Sequence, residues 1–307
     1  MRNAFVNTIL DATHTRDDVF IISGDAGLGV FDDFHKNHPE RFLNLGVAEQ
    51  NMISVAAGMA LTGYKVYIYN IIPFVLYRCY EQVRNDICYQ ELPITLIGIG
   101  SGITYAPQGM THYSVEDLGL AGTMPNMEVF SPIDPIEARL AAQHTLNSNS
   151  PCYVRLAKRG EPDLHPTSEL DITLPLLLKE GREVALIFHG SIGEETLRAA
   201  ELLRQEGIAP RLLSLPRVQP IDWNALDQAL RDIKQVFVVE EHFTSCGLGA
   251  VIMREWARSP RPWRVHSLGI ADTYIHEIKH TASMRDHFGI SAPKIAAHVR
   301  NVLDGAA

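Results

Sequence analysis

The sequence has 307 residues, of which 46% are hydrophobic and 21% are charged, and it carries a formal net charge of −9. This length is sufficient for two domains, and the acidic balance argues against a general nucleic-acid surface, which is usually basic. No apolar run approaches the roughly 20 residues that span a bilayer, the N-terminus shows no signal peptide, and the cysteines show no CxxC spacing. We therefore expect a soluble cytoplasmic protein that binds neither membrane nor nucleic acid.

Short β-branched runs alternate with segments of helix length along the first half of the chain. The predicted strands are 19–25, 65–70, 93–100, 127–132 and 152–157, and the predicted helices are 47–62, 77–90 and 134–147. The last helix has a good start signal, because Asp134 is a favourable N-cap and Pro135 a favourable first position. This alternation predicts a parallel sheet that is covered by helices on both faces.

A second series of alternating elements follows. Its predicted strands are 183–191, 209–215, 235–242 and 263–270, and its predicted helices are 193–206, 222–232 and 246–258. Between the two series, "KRGEPDLHPTSELDITLPLLLKEG" is rich in proline, glycine and charge, a composition typical of interdomain linkers. We predict an α/β protein with two doubly wound domains, at 1–165 and 183–307, joined by a linker at 166–182.

Glu49 is the one formally charged residue in "FLNLGVAEQNMISVAAGMALTG", and it lies in the first turn of the predicted helix 47–62. An acidic residue at this position interacts favourably with the helix N-terminus, so a structural role remains open. The functional alternative is a buried carboxyl group that exchanges a proton with a nitrogen heterocycle. The small residues behind Glu49 favour the functional role, since they permit close approach by a ligand or another subunit.

Two segments at strand ends carry further candidates. "GDAGLG" (24–29) lacks the full dinucleotide fingerprint, and Asn51 lies within a predicted helix, so these residues do not form the GDG…N signature that binds magnesium and diphosphate. "YNIIPFVLYRCYEQVRND" (69–86) is rich in aromatic residues, for which core packing is the usual role and stacking on a flat cofactor the alternative. Phe74 is the first candidate for stacking, with Tyr69 and Tyr77 as alternatives.

Two later segments also follow predicted strands, where the binding loops of open parallel sheets are found. "GSGITYAPQGMTHYSVED" (100–117) contains His112, which can donate, accept or shuttle protons or can be an ordinary surface residue. "YVRLAKRG" (153–160) ends in a basic cluster, which is either solvated or a phosphate site. The basic residues of this cluster are Arg155, Lys158 and Arg159.

The order and spacing of these segments resemble the thiamine-diphosphate-dependent transketolase superfamily over essentially the whole chain. "NLGVAEQNM" resembles the family's "GIAEQ" segment, "GMTHYSVED" its THQ-type substrate loop, and "RCYEQVRND" the helix that follows the pyrimidine-stacking aromatic. "VVEEH" with "GLG" (247–249) resembles the signature of the transketolase C-terminal domain. The resemblance is to the C-terminal half of a transketolase, a pyrimidine-binding domain followed by the C-terminal domain.

The resemblance implies that Glu49 hydrogen-bonds N1′ of the cofactor's aminopyrimidine and so promotes the thiazolium ylide, the electron sink for carbon–carbon bond cleavage. It implies Glu49 and His112 as catalytic residues and Phe74 as the ring that stacks on the pyrimidine. The other cofactor-binding residues that it implies are Asp25, Leu28, Tyr69, Tyr77 and Arg78. The substrate-binding residues that it implies are Ser101, Gln108, His112, Arg155 and Arg159.

The sequence departs from the family pattern within the substrate loop. Gln108 occupies the place of an Asp that stands four residues before the loop histidine in many members, and Ser101 occupies the place of a basic or histidine residue. The first difference puts the usual recognition of a sugar hydroxyl in doubt, and the second weakens the case for an ordinary sugar-phosphate substrate. Which of Arg155 and Arg159 faces the pocket is open, and the length of "NIIPFVLYR" leaves room for the stacking aromatic to shift from Phe74 by one or two residues.

The family's diphosphate-binding domain, with its magnesium motif, has no counterpart in this sequence. The resemblance therefore implies a split enzyme, an α2β2 heterotetramer in which a partner subunit binds the diphosphate and Mg²⁺ and this chain supplies no metal ligand. The expected reaction moves a two-carbon ketol unit from a ketose, as the sugar or its phosphate, to an aldehyde. The alternatives are the beta subunit of a 2-oxoacid dehydrogenase E1, a decarboxylating enzyme like deoxyxylulose-phosphate synthase, and a non-catalytic scaffold subunit.

Overall fold

The computed structural model describes residues 1–158 and 160–305, which form two α/β domains as predicted. The strands of the first half are β1 (Val19–Ser23), β2 (Phe42–Asn44), β3 (Lys65–Ile71), β4 (Ile94–Ile99), β5 (Glu128–Phe130) and β6 (Cys152–Leu156). The helices of the first half are α1 (Arg2–Ala12), α2 (Asp32–Asn37), α3 (Glu49–Leu61), α4 (Tyr80–Gln82), α5 (Asp117–Ala121) and α6 (Pro135–Asn147). None of the helices within the described ranges is long and apolar enough to cross a membrane.

The second half has a similar alternation of elements. Its strands are β7 (Leu176–Lys179), β8 (Glu183–Phe188), β9 (Arg211–Ser214), β10 (Arg217–Gln219), β11 (Ile233–Phe243) and β12 (Arg264–Ile270). Its helices are α7 (Gly193–Gln205), α8 (Trp223–Ala229), α9 (Leu248–Arg258), α10 (Thr281–His287) and α11 (Ala292–Leu303).

The first sheet has seven strands in the order β10-β5-β6-β4-β3-β1-β2, and only the pairing of β10 with β5 is antiparallel. The second sheet has five strands in the order β12-β11-β8-β9-β7, with β7 antiparallel to β9. All six positions of β4 are buried, as expected for a parallel strand that is covered on both faces. The mostly parallel arrangement places the loops that follow β1, β3, β4 and β6 at one edge of the first sheet.

The two sheets are not separated at the predicted linker 166–182. Strand β7 lies within that segment and pairs with β9 in the second sheet. Strand β10 follows three strands of the second sheet in the chain, yet it pairs with β5 in the first sheet. Both strands are only three or four residues long, so they show no clear alternation of apolar and polar residues and were not predicted from the sequence.

The predicted start of α6 is confirmed. The Asp134 side chain accepts a hydrogen bond from the backbone N–H of Glu137, with an N–O distance of 2.7 Å, and Pro135 occupies the first helical position. The other carboxylate oxygen of Asp134 accepts the N–H groups of Leu164 and His165 at 2.8 and 3.0 Å. One capping residue therefore also fixes the chain that leaves the first domain.

The small residues of α3 mostly serve packing within the first domain. Ala56, Ala57 and Ala60 are buried in its hydrophobic core, where a small side chain allows the helix to approach the sheet. Gly58 lies on the outer face instead, and a Cβ at this position would have no atom within 4 Å. The expected role in contact with another subunit is therefore confined to the outer face, where Leu61 is also 70% exposed.

The "VVEEH" and "GLG" segments have a structural explanation in the second domain. Glu240 is fully buried, and its carboxylate accepts the backbone N–H groups of Leu248 and Gly249 at 2.7 and 2.9 Å. These donors lie in the first turn of α9, whose N-terminus favours a negative charge. Glu240 therefore joins the end of β11 to the start of α9.

Substitution of Gly98 by alanine is expected to lower the free energy of unfolding by about 1–3 kcal/mol, since overpacking forces neighbouring groups to move. A Cβ at Gly98 would lie 2.6 Å from Ile72 Cγ1 and 2.8 Å from Tyr153 Cε2, inside the buried strand β4. The matched control is Gly58→Ala, which should raise the free energy of unfolding by about 0.5–1 kcal/mol, because alanine has a higher helix propensity than glycine. Urea denaturation of the isolated chain measures both, and an equal effect of the two changes would contradict the prediction.

Candidate active site

Glu49 lies at the start of α3 with 3% of its surface exposed. Its Oε2 accepts a hydrogen bond from Nη1 of Arg78, with an N–O distance of 2.8 Å. The two side chains differ in accessibility, because 47% of the Arg78 side chain is exposed and only 2% of the Glu49 side chain. Glu49 is therefore a buried carboxyl group whose hydrogen-bond partner is half-exposed.

Phe74 lies in a π-helical turn, Pro73–Tyr77, that follows β3. The Arg78 guanidinium carbon is 4.6 Å from the centre of the Phe74 ring. A second π-helical turn, Val83–Cys88, continues the segment beyond α4. The sequence predicted an ordinary helix over 77–90, whereas a π turn accommodates one extra residue and is frequent at functional sites.

His112 ends the second of two short 3₁₀ turns in the loop after β4, and Gly109 between the turns has a φ of +77°. The His112 ring lies 5.4 Å from the Phe74 ring, centre to centre, at an angle of 71°. On its other side, His112 lies 5.9 Å from the Tyr105 ring, and Lys158 Nζ lies 4.6 Å from the Tyr105 centroid. We call Phe74, His112 and Tyr105 the aromatic row, which has the Glu49–Arg78 pair at one end and Lys158 at the other.

The second domain supports the loop that carries His112. The hydroxyl of Tyr113 lies 2.7 Å from the carbonyl oxygen of Ala106 and 3.1 Å from that of Glu277. Thr281 Oγ1 lies 3.5 Å from the carbonyl oxygen of Ile103. The position of the loop therefore depends on the segment before α10, which no motif in the sequence indicated.

The pKa of His112 is lowered from its usual 6.5, first by partial burial and second by the nearby charge of Lys158. His112 is consequently neutral at pH 7 and can accept a proton. Replacement of Lys158 by glutamine is expected to raise this pKa only in part, because burial, the larger cause, remains. NMR titration of the imidazole C–H signals measures the change, with Lys36→Gln as a control that should leave it unaltered. A lower pKa in Lys158→Gln would contradict the assignment.

Tyr69 and Tyr77 are engaged in contacts away from the aromatic row. Tyr69 is 3% exposed, and its ring lies edge-on to Phe31 at 4.9 Å. Burial raises the pKa of Tyr69 to about 12. The hydroxyl of Tyr77 donates to Glu116 Oε2 at 3.0 Å, and burial raises the pKa of Tyr77. Phe74 is therefore the one of the three predicted aromatic candidates whose ring lies beneath the Arg78 guanidinium in the described part of the chain.

Asp25 and Leu28 lie in the loop after β1. Asp25 has a φ of +53°, and its backbone N–H donates to Asn44 Oδ1 at 3.1 Å. Leu28 is 91% exposed. Both residues line a cavity of about 320 Å³ with Phe31 and Phe42. Phe31 and Phe42 belong to the same hydrophobic cluster as Tyr105 of the aromatic row, and a cofactor role for Asp25 and Leu28 stays a prediction.

Arg155 does not suit its predicted role as a substrate ligand. Its side chain is fully buried, and Nε donates to Asp117 Oδ2 at 2.7 Å. Its Nη2 donates to the carbonyl oxygens of Ser114 and Glu241 at 2.9 and 3.0 Å, so it joins the two domains. The basic motif gave no sign of this, because an arginine inside an interface and one at a ligand site look the same in a single sequence. Arg159, the other predicted arginine, lies outside the described residues.

The remaining two substrate candidates differ in accessibility. Ser101 is fully buried, and its Oγ has no hydrogen-bond partner in the described part of the chain. Gln108 is exposed at the end of the first 3₁₀ turn. Lys158, which borders the aromatic row, also lines a cavity of about 340 Å³ between the domains. The other polar residues that line this cavity are Thr104, Glu161, Ser191, Glu194, His280, Thr281 and Arg285.

Comparison with known families gives two matches that together cover most of the chain. Residues 1–161 match the family described as "Transketolase, pyrimidine binding domain", and residues 176–295 match "Transketolase, C-terminal domain". The first match contains Glu49 and the whole aromatic row. The second contains the segment that supports the His112 loop.

Comparison with curated proteins and solved structures gives similarity over the full length. The chain is 32% identical to one subunit, designated B, of the apulose-4-phosphate transketolase of Actinobacillus succinogenes, covering 96% of each chain. It is 31% identical to the "6-deoxy-6-sulfo-D-fructose transketolase subunit SqwH" of a Clostridium species, covering 97% of this chain and 93% of that protein. A solved structure described as "Split gene transketolase, inactive beta4 tetramer" matches with a TM-score of 0.87 and 28% identity, covering 99% of this chain and 97% of that one.

Proposed function

Since this chain belongs to the transketolase family, we propose that it is the C-terminal, pyrimidine-binding subunit of a split transketolase. In this proposal the assembled enzyme moves a two-carbon ketol unit from a ketose donor to an aldehyde acceptor, in the cytoplasm, with thiamine diphosphate as cofactor. The observation that carries the proposal is the arrangement of Glu49, Phe74 and Arg78. In this arrangement the planar guanidinium of Arg78 lies between the buried carboxyl group of Glu49 and the ring of Phe74.

The residues present fit an aminopyrimidine ring. The Arg78 guanidinium acts as a stand-in for it, because it is planar, donates an N–H to Glu49 at 2.8 Å and lies 4.6 Å from the centre of the Phe74 ring. A flat heterocycle with N–H groups would use the same two contacts. Glu49 and Phe74 would therefore hold the pyrimidine half of the cofactor.

The proposed mechanism assigns one task to each residue of the site. When bound, thiamine diphosphate supplies the carbon nucleophile and electron sink that carbon–carbon bond cleavage needs. Glu49 holds and moves a proton at N1′ of the pyrimidine, and Phe74 fixes the plane of that ring. His112, neutral at pH 7, contacts a substrate hydroxyl or carbonyl group and can accept its proton.

We propose that a partner subunit binds the diphosphate and Mg²⁺ and that the assembly is α2β2. Two of the relatives are each named as a single subunit of a transketolase, and the similar solved structure is an inactive tetramer of beta chains. Val47, two residues before Glu49, is 80% exposed, and Leu28 in the loop after β1 is 91% exposed, so both present apolar side chains to solvent. These residues and the outer face of α3 are the proposed contact with the partner.

The substrate proposal is a sugar or sugar phosphate whose far end reaches Lys158. The cavity beside Lys158 is lined by hydroxyl groups and charged groups, which suit a polyhydroxylated anion. The relatives' names include a phosphorylated and a sulfonated sugar. Support comes from Lys158 rather than from Arg155, whose guanidinium is taken up within the protein.

Reconstitution with the diphosphate-binding subunit tests the proposal. The complex is expected to release an aldehyde from a ketose donor and to transfer the two-carbon unit to an aldehyde acceptor, while this chain alone is inactive and has negligible affinity for thiamine diphosphate. Use of pyruvate alone would favour a decarboxylating enzyme like 1-deoxy-D-xylulose-5-phosphate synthase. Relatives with that name are 30% identical, but the match covers only 44% of one such protein. Unchanged activity after loss of Glu49 would favour a scaffold subunit.

A further inference from the structure

The contacts of Arg78 differ from those of a structural arginine in the same protein. Arg155 is fully buried and makes three hydrogen bonds to described groups. The Arg78 side chain makes one, to Glu49, and is 47% exposed. A guanidinium has five N–H donors, so most donors of Arg78 have no partner in the described part of the protein. Among the described residues, the Arg78 guanidinium is therefore held in place by its hydrogen bond to Glu49 and its contact with the Phe74 ring.

The position of Arg78 is also the position proposed for the pyrimidine ring. Its Nη1 donates to the carboxylate oxygen of Glu49, and its guanidinium carbon lies over the Phe74 ring, 4.6 Å from the ring centre. Two groups cannot lie over the same part of one ring face at the same time. On the proposed function, cofactor binding therefore requires the Arg78 side chain to leave.

We propose that Arg78 is a built-in ligand of the pyrimidine site, which occupies the site until the cofactor displaces it. This inference rests on the proposed function and adds that a side chain of the protein itself competes with the cofactor for the pyrimidine site. The exposed side of the guanidinium gives the side chain a way out, since no described group has to move with it. Arg78 is thus a positioning residue that controls access to Glu49.

Replacement of Arg78 by alanine in the reconstituted complex tests the inference. Removal of a competitor that occupies the site most of the time is expected to raise the association rate of thiamine diphosphate about tenfold. Stopped-flow fluorescence after mixing with thiamine diphosphate and Mg²⁺ measures the rate. The matched control is Arg84→Ala, which removes an exposed arginine of the same segment that hydrogen-bonds only Asn85 among the described residues and should leave the rate unchanged.

Calorimetry provides the second measurement. The Arg78→Ala complex should bind thiamine diphosphate with about tenfold higher affinity than the wild-type complex, because no side chain has to be displaced first. An unchanged affinity, or an unchanged or slower association in Arg78→Ala, would overturn the inference. If that variant does not fold, Arg78→Lys keeps the charge but loses the planar contact with Phe74, and it should bind faster than wild type.

The outcomes separate this inference from the proposed function. If Glu49→Gln is inactive but Arg78→Ala binds the cofactor no faster, the inference about Arg78 is refuted and the proposed enzymatic function is retained. If Glu49→Gln is fully active, the proposed function fails whatever Arg78 does.

Discussion

Replacing Glu49 by glutamine is expected to lower the turnover of the reconstituted complex about a thousandfold, within the range usual for loss of a positioned acid–base group. Glutamine has nearly the same size and can still accept a hydrogen bond from Arg78, so the fold around α3 should be retained. It cannot hold and release the proton that the carboxyl group supplies. The measurement is steady-state ketol transfer with saturating thiamine diphosphate and Mg²⁺, followed by the appearance of the released aldehyde.

Glu81→Gln is the matched control for this experiment. Glu81 is exposed, and it lies only three residues along the chain from Arg78. Its replacement should leave turnover unchanged, and the thermal midpoints of both variants should match that of the wild type. Turnover of Glu49→Gln within threefold of wild type would show that the reaction does not use this carboxyl group.

Replacing Asp117 by asparagine is expected to lower the free energy of unfolding by about 3–5 kcal/mol, the cost typical of leaving one member of a buried ion pair without its partner. Asp117 and Arg155 are both fully buried, with Oδ2 and Nε 2.7 Å apart. The Tyr153 hydroxyl donates to the same Oδ2 at 2.7 Å, so its bond would also be weakened. Chemical denaturation of the isolated chain, followed by fluorescence and circular dichroism together, measures the loss.

A double replacement separates lost charge balance from lost packing. Asp117→Leu with Arg155→Met removes both charges, and such pairs are often neutral when apolar residues of similar size replace them, so stability should largely recover. The surface pair of Lys234 and Glu183, in which both side chains are mostly exposed, is the matched control, and Lys234→Ala should have no measurable effect. A larger loss in the double variant than in Asp117→Asn would contradict the explanation.

His242 completes this buried group without adding a charge. Its Nε2 accepts the backbone N–H of Leu118 at 3.1 Å, and its Nδ1 lies 3.0 Å from the carbonyl oxygen of Phe243. Burial lowers the pKa of His242, which agrees with a neutral ring protonated at Nδ1. Because the ring is neutral, the 3.5 Å separation of His242 Nε2 and Asp117 Oδ1 is not an ion pair, and Asp117 forms its ion pair with Arg155.

The sequence predicted those features that depend on local chemistry. The strands at 65–70 and 152–157 agree with β3 and β6 to within a residue, because β-branched runs between turn residues have few other solutions. The N-cap at Asp134 was also predicted, because an Asp followed by a Pro is a local signal for the start of a helix. Glu49 became a candidate because it is the one charged residue in an apolar stretch, and the structure places it buried at the start of α3, while its catalytic role stays a prediction.

Features that depend on distant parts of the chain were not predicted. The row from Phe74 to Tyr105 joins loops after two different strands, and Lys158 follows a third. Tyr105 had no special spacing, so nothing separated it from the other aromatic residues. The burial of Arg155 depends on Asp117 and on the end of β11, which lie 38 and 86 residues away along the chain.

Strand β10 comes from the second half of the sequence but belongs to the first sheet, and this limits where the chain can be divided into fragments. A fragment that ends before residue 183 would contain every helix of the first domain but would leave the edge of β5 without Arg217–Gln219. An unpaired strand edge is a template for association with other chains, so the fragment should aggregate on expression. During synthesis, the first sheet likewise stays incomplete until the ribosome has passed residue 219. The first sheet is therefore completed by a strand that comes from the second half of the sequence.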